Sequence, residues 1–175
     1  MIWRAVFGVS IPVLAVVVAA PAAGATCQGT PGNGTTPPGE RASPSWYGNG
    51  DLWTFGLVRF VARPRGSGLP EINPEGSIVN KYLYLAKRTR PTPPLERLRL
   101  VISGRRLDGS GRFKIVRRGM GWNSQALYSP GYITFPRAGC WKVTSRLNTG
   151  KRLIFVVEVL APEPRGRLGL VASGP

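Results

Sequence analysis

A chain of 175 residues with no histidine and two cysteines cannot form a serine–histidine triad, an imidazole metal site or a four-ligand zinc centre. Its formal charge is +16, from 19 Arg and 5 Lys against 8 acids, and those acids are too scattered for a calcium-binding loop. The 23 Gly and 17 Pro favour many turns between short strands and disfavour long helices.

Residues 1–25 read as an export signal. Arg4 provides the positive start, an apolar run extends from Ala5 to Ala20, and Ala23-Gly24-Ala25 is a small-x-small cleavage site. The run is shorter than a membrane-spanning helix needs and contains Pro12. Cleavage near Ala25 sends the mature chain to the cell envelope or exterior. An alternative is a lipid anchor on Cys27, although Thr26 is a poor fit before a lipidated cysteine. Removing Arg4 leaves a mature charge of +15.

Residues 26–45 form a Pro/Gly-rich lead-in with too few large apolar side chains to build a core. An even cysteine count in an exported chain predicts a bond between Cys27 and Cys140. That bond would pin the lead-in at its start and wrap it over the domain. Asn33-Gly34-Thr35 matches a glycosylation sequon, read as chance in a chain that looks bacterial.

The globular part is expected over 46–161, followed by a tail over 162–175. Trp53 to Val61 is aromatic and β-branched on both faces, as in a central strand or one that crosses an edge. Residues 62–76 are a Pro/Gly-rich loop. Ile78 to Ala86 and Leu95 to Ser103 alternate as strands, the latter with Leu98, Leu100 and Ile102 on one face and Arg97, Arg99 and Val101 on the other. After a turn at 104–111, Phe113 and Ile115 face inward, with Arg112 and Lys114 outward. Trp122 to Tyr128 and Tyr132 to Phe135 are expected as two short strands around Ser129-Pro130-Gly131. Cys140 to Leu147 and Lys151 to Leu160 form a hairpin across Asn148-Thr149-Gly150, with Leu153, Phe155, Val157 and Val159 lining one face. About eight strands and no helical period predict an all-β fold, an antiparallel β-sandwich of immunoglobulin-like type, with a small barrel as the alternative.

The blocks CQGTPGNGTTPPGE, YGNGDLW, ISGRRLDG, FPRAGCWKVTSRL and LIFVVEV resemble a group of uncharacterised exported bacterial proteins from Cys27 to about Val159. The resemblance implies an exported β-domain closed by a Cys27–Cys140 bond and implies no activity. The chain departs from that group in its middle, where KYLYLAKR replaces a tryptophan-rich strand.

Charge concentrates in one block. Residues 81–118 carry twelve Lys/Arg and two acids, whereas 26–80 are balanced. Arg97, Arg99, Arg105, Arg106, Arg112 and Lys114 form a candidate anion-facing patch. Direct pairing of the two strands that bear them would set like charges opposite one another, which is unfavourable. Either the strands belong to different sheets or a polyanion covers the patch; a solvated basic face is the plain alternative. The expected partner is an anionic envelope polymer or membrane surface, with no nucleic acid and no cofactor. Trp46, Tyr47, Trp53, Tyr82, Tyr84, Trp122 and Trp141 read mainly as core, with Trp46 and Tyr47 the best candidates for exposure in a sugar-stacking face. No catalytic residues are assigned. Glu71 and Glu75 share a loop but are not a convincing glycosidase pair, and no Ser-x-x-Lys motif occurs. The expectation is a non-catalytic binding or structural module, with a carbohydrate-binding module or a hydrolase as alternatives.

Overall fold

Short alternating apolar stretches divided by glycine and proline give eleven strands and no α-helix among the residues the computed structural model describes, 27–162 without 57, 89–92, 124 and 125. The expected signal, the tail from 163 onward and the side chain of Trp122 lie outside them. The strands are β1 (Trp46–Gly48), β2 (Leu52–Phe55), β3 (Arg59–Val61), β4 (Glu71–Ile72), β5 (Ile78–Lys87), β6 (Arg99–Arg106), β7 (Arg112–Arg118), β8 (Gly121–Asn123), β9 (Ala126–Phe135), β10 (Gly139–Leu147) and β11 (Arg152–Leu160). One sheet runs β1-β2-β5-β9-β8 with β4 beside β5; the other runs β3-β11-β10-β6-β7. Every strand pairing is antiparallel except β3 with β11.

The sheets stack as a sandwich and do not close into a barrel. In immunoglobulin terms β2, β5, β9 and β8 occupy places A, B, E and D, and β6, β10 and β11 occupy C, F and G. The inner faces supply the core. Ile78, Tyr82, Tyr84, Ile133 and Phe135 from one sheet meet Leu100, Ile102, Trp141, Val143, Phe155 and Val157 from the other. Each such apolar side chain contributes roughly 1.5–3 kcal/mol on burial. Ser145 Oγ donates to Tyr84 Oη across the sandwich at 3.0 Å, satisfying a buried hydroxyl that would otherwise be costly.

Three boundaries differ from the sequence reading. Trp53 to Val61 is not one strand: β2 lies in the first sheet and β3 in the second. Leu52 and Phe60 both face the main core, and the second apolar face of the stretch comes from Trp53, which packs in a separate cluster with Trp46, Leu85 and Ala126. The expected start at Leu95 is a 3-10 turn, Leu95–Arg97, and the strand begins at Arg99. Ser129-Pro130-Gly131 does not interrupt β9. β8 pairs only with Ala126 to Tyr128. Pro130 therefore sits where the ladder has a strand on one side alone, which a residue without an N–H tolerates.

Cys27 and Cys140 form a disulfide, with their sulfurs 2.10 Å apart. The lead-in continues from that anchor along the outer edge of β11. Thr30 N donates to Val156 O at 2.9 Å, and Val156 N donates to Thr30 Oγ1 at 2.8 Å. Asn33 brackets β1: its Nδ2 donates to Gly48 O at 2.7 Å and its Oδ1 accepts from Gly48 N at 3.2 Å. The sequon asparagine is thus a structural clamp. Tyr47 Oη donates to Ile154 O, and Asn49 Nδ2 donates to Arg152 O. Together with β3, which pairs with Glu158 to Leu160, these groups occupy the edge that β11 would otherwise present to other chains.

Candidate anion-binding face

β6 and β7 pair directly in one sheet, so the account that separated them into different sheets is overturned. The register sets Arg105 opposite Arg112 and Arg99 opposite Arg118. Side chains alternate along each strand, and the set on the side opposite these four cations is apolar except for Arg106 and Arg117, the latter donating from Nη2 to Tyr132 O at 3.1 Å. The cations therefore stand on the outer face of the second sheet.

The topology extends this face to β10 and β11, some forty residues further along the chain. Three cross-strand rows result. One holds Arg112, Arg105, Lys142 and Val156; the next holds Lys114, Ser103, Thr144 and Ile154; the third holds Val116, Val101, Arg146 and Arg152. The rows contain six cations and no carboxylate. Among the described residues none of the six has an ion-pair partner. On the same face Glu158 belongs to the far edge, where it holds Arg59 at 2.9 Å.

A shallow groove of about 670 Å³ lies in these rows, lined by Arg105, Arg112, Lys114, Lys142, Arg152, Ser103 and Thr144. Gly104 shapes it from beneath. A Cβ there would come within 2.0 Å of the Phe113 ring, so only glycine lets the ring cross under β6. Phe113 is in turn held by Phe135 and Trp141, with ring centroids 5.4 and 5.5 Å away. A rigid aromatic stack thus supports the groove floor.

The six residues of the sequence-derived patch fall into three places. Arg105, Arg112 and Lys114 share the groove. Arg97 and Arg99 lie at the other end of β6, with Arg118 and Asn148 around a smaller cleft that also holds Glu96. Asn148 fixes that end: Nδ2 donates to Arg97 O at 2.8 Å, and Oδ1 accepts from Arg99 N at 3.0 Å. Arg106 stands apart. Its Nε donates to Asp108 Oδ1 at 2.7 Å, and its guanidinium lies over Gly139, where any Cβ would meet it at 2.4 Å. Burial pushes the Asp108 carboxyl up, but the Arg106 hydrogen bond and backbone N–H groups outweigh it and hold the carboxyl below its usual range. The Arg105-Arg106 pair therefore divides, one to the open face and one to a pair beside the disulfide.

Lys142, Arg146 and Arg152 were missed as site members. The alternation of CWKVTSRL already turned Lys142, Thr144 and Arg146 outward; what sequence lacked was the neighbour relation of β10 to β6. The groove also brings Ser103 opposite Lys114, the residue types of a serine–lysine hydrolase. Ser103 Oγ, however, donates to Thr144 O at 3.3 Å, and no carboxylate lines the groove.

The expected exposure of Trp46 and Tyr47 is corrected. Trp46 is 4% exposed, with Nε1 donating to Arg41 O at 3.3 Å, and Tyr47 is half-buried. The lead-in covers Trp46, and Tyr47 packs on Phe155 and donates to Ile154 O, neither of which a reading of β1 by itself could anticipate. Trp53, Tyr82, Tyr84 and Trp141 are buried as well. Phe55, at 40% exposure, is the main open aromatic around a second groove of about 560 Å³ beside Trp46 and Leu83.

No protein-family model matches the chain, and no curated protein or solved structure matches it either.

Proposed function

We propose that the chain is an exported, non-catalytic binding module of the cell envelope, and that the outer face of β7, β6, β10 and β11 holds it against anionic envelope material. The observation that carries this is the set of three rows with six cations and no carboxylate, including Arg105 directly opposite Arg112. Like charges in directly opposed positions weaken a sheet. An anion lying over the face converts that repulsion into attraction and stabilises the folded state by mass action. A disulfide joining the lead-in to β10 is compatible with export. The signal read in residues 1–25 supplies the route to an oxidising compartment, where that bond forms.

The test is retention on an anionic matrix as salt rises. The triple change Arg105→Gln, Arg112→Gln and Lys142→Gln should elute at clearly lower salt than Arg63→Gln, Arg65→Gln and Arg41→Gln, which removes the same charge elsewhere. Equal elution of the two variants would show that dispersed charge alone is at work and would reject the face. A sugar-binding reading draws less support, because stacking needs an open ring face and most of the aromatics are buried.

A further inference from the structure

We infer that the groove over Ser103 and Thr144 is the seat of one ligand class, a linear polymer carrying one anionic phosphate per repeat, lying across the strands. The inference rests on the anion-binding reading above and narrows it from a charged face to a ligand shape and an anion type.

Direction comes first. Arg112, Arg105 and Lys142 stand on three adjacent strands in one row, and Arg152 closes the groove on a fourth. Strands lie about 4.8 Å apart, so the row of Arg112, Arg105 and Lys142 spans roughly 10 Å from β7 to β10, and Arg152 lies four residues along β11 from that row's Val156, which carries the cations diagonally across the face. A single small anion touches two or three of them and leaves the others facing one another. Only a ligand with several anions in line neutralises them all.

Shape separates a chain from a surface. The cations rim a recess of about 670 Å³. A planar membrane would rest on the rim and leave the Ser103–Thr144 floor unfilled, whereas a chain of phosphates can lie in the recess. Peripheral membrane binding also relies on apolar side chains that enter the head-group boundary. On the rows of this face Val116 is the one exposed large apolar residue, and no aromatic ring stands out from them.

Anion type follows from where the donors sit. Guanidinium forks at Arg105 and Arg112, ammonium groups at Lys114 and Lys142, and the Thr144 hydroxyl on the floor surround the groove on several sides, the Ser103 hydroxyl being engaged with Thr144 O. A tetrahedral phosphate presents oxygens in all those directions, while a planar carboxylate accepts mainly within one plane. Exposed rings for base stacking are lacking on these rows, which sets the groove apart from single-stranded nucleic-acid channels.

The probes are long-chain inorganic polyphosphate, tripolyphosphate, polygalacturonate, an oligothymidylate, and vesicles of phosphatidylglycerol, each titrated against the oxidised chain in about 0.15 M NaCl. Long-chain polyphosphate should bind at least about tenfold more tightly than tripolyphosphate or polygalacturonate, and Arg105→Gln with Lys142→Gln should weaken it by about tenfold or more. Arg63→Gln with Arg65→Gln should change it by less than about threefold. Equal affinity for long and short phosphates, tighter binding to oligothymidylate, capture by vesicles but not by polyphosphate, or equal loss in the two double variants would each overturn the inference while leaving a basic anion-binding face in place. Failure of every anionic probe to bind would remove both the inference and the reading beneath it.

Discussion

Removing the disulfide should cost about as much as the largest single core truncation, and the structure says where the loss appears first. The bond joins residues 113 apart in sequence. Closing a loop of that length in the unfolded chain corresponds to about 4.8 kcal/mol by the loop-entropy relation. Part of that constraint survives locally, because the Thr30–Val156 pair of hydrogen bonds and the Asn33 clamp still dock the lead-in, each contributing about 0.5–1.5 kcal/mol. The double change Cys27→Ser and Cys140→Ser should therefore lower the unfolding free energy by about 3–5 kcal/mol in urea, with a steeper slope against urea because the unfolded chain without the cross-link exposes more surface. Hydrogen exchange should speed up at Thr30 and Val156 well before it does at Leu100 in the centre of β6. The freed edge of β11 should also make the variant self-associate as concentration rises. A loss below about 1 kcal/mol, or uniform acceleration of exchange across β6 and β11, would refute the view that the lead-in is a pinned strap on that edge.

Three further outcomes follow from named contacts. Arg112→Glu turns the Arg105–Arg112 repulsion into attraction. With charged groups about 7 Å apart in water the reversal is worth about 1.2 kcal/mol, cut to about 0.5 kcal/mol by screening near 0.15 M salt. Thermal unfolding should thus rise slightly at low salt and match the parent at high salt, while retention on an anionic matrix falls; a lowered melting temperature at low salt would contradict the register argument. Gly104→Ala forces the Phe113 ring out of its place between Phe135 and Trp141 and should cost about 1–3 kcal/mol in chemical denaturation, with partial recovery in the double variant carrying Phe113→Leu. An unchanged Gly104→Ala midpoint would mean that the ring is free to move.

The third outcome concerns alkaline pH. Burial pushes both core phenols far above their usual range, with Tyr84 adding to the effect at Tyr82 and the hydrogen bond with Ser145 opposing it at Tyr84. The unfolded chain releases those protons near pH 10 while the folded chain keeps them. The unfolded state then binds fewer protons, so stability is full below about pH 10 and falls above it, by up to about 2.7 kcal/mol per pH unit for the two groups. Tyr82→Phe should roughly halve that slope in urea titrations; full titration of all five tyrosines near pH 10 with the fold intact would contradict the burial.

Alternation made β5, β10 and β11 readable directly, because a strand with one buried face writes its period into the sequence. It also turned Arg112, Lys114, Lys142 and Arg146 outward. Where a segment changes sheets, as between β2 and β3, the same rule merges two strands into one, since Leu52 and Phe60 both face the main core while Trp53 packs in a second cluster with Trp46 and Leu85. Pro130 misled for a related reason: the side of β9 it faces is open, and openness is a property of the partner strands. Trp46 looked exposed because its cover, the lead-in, has no core-forming character of its own.

The amino-acid order alone determined the all-β class, the cysteine pair and the excess of positive charge, since side-chain period, cysteine number and ionisation are properties of the chain itself. Only the tertiary structure decided that β10 lies beside β6, that Arg105 faces Arg112 while Arg106 turns away to Asp108, and that Lys142 and Arg152 complete one groove. Those facts depend on which strands hydrogen-bond across forty intervening residues and in what register, and local periodicity is the same for every such pairing.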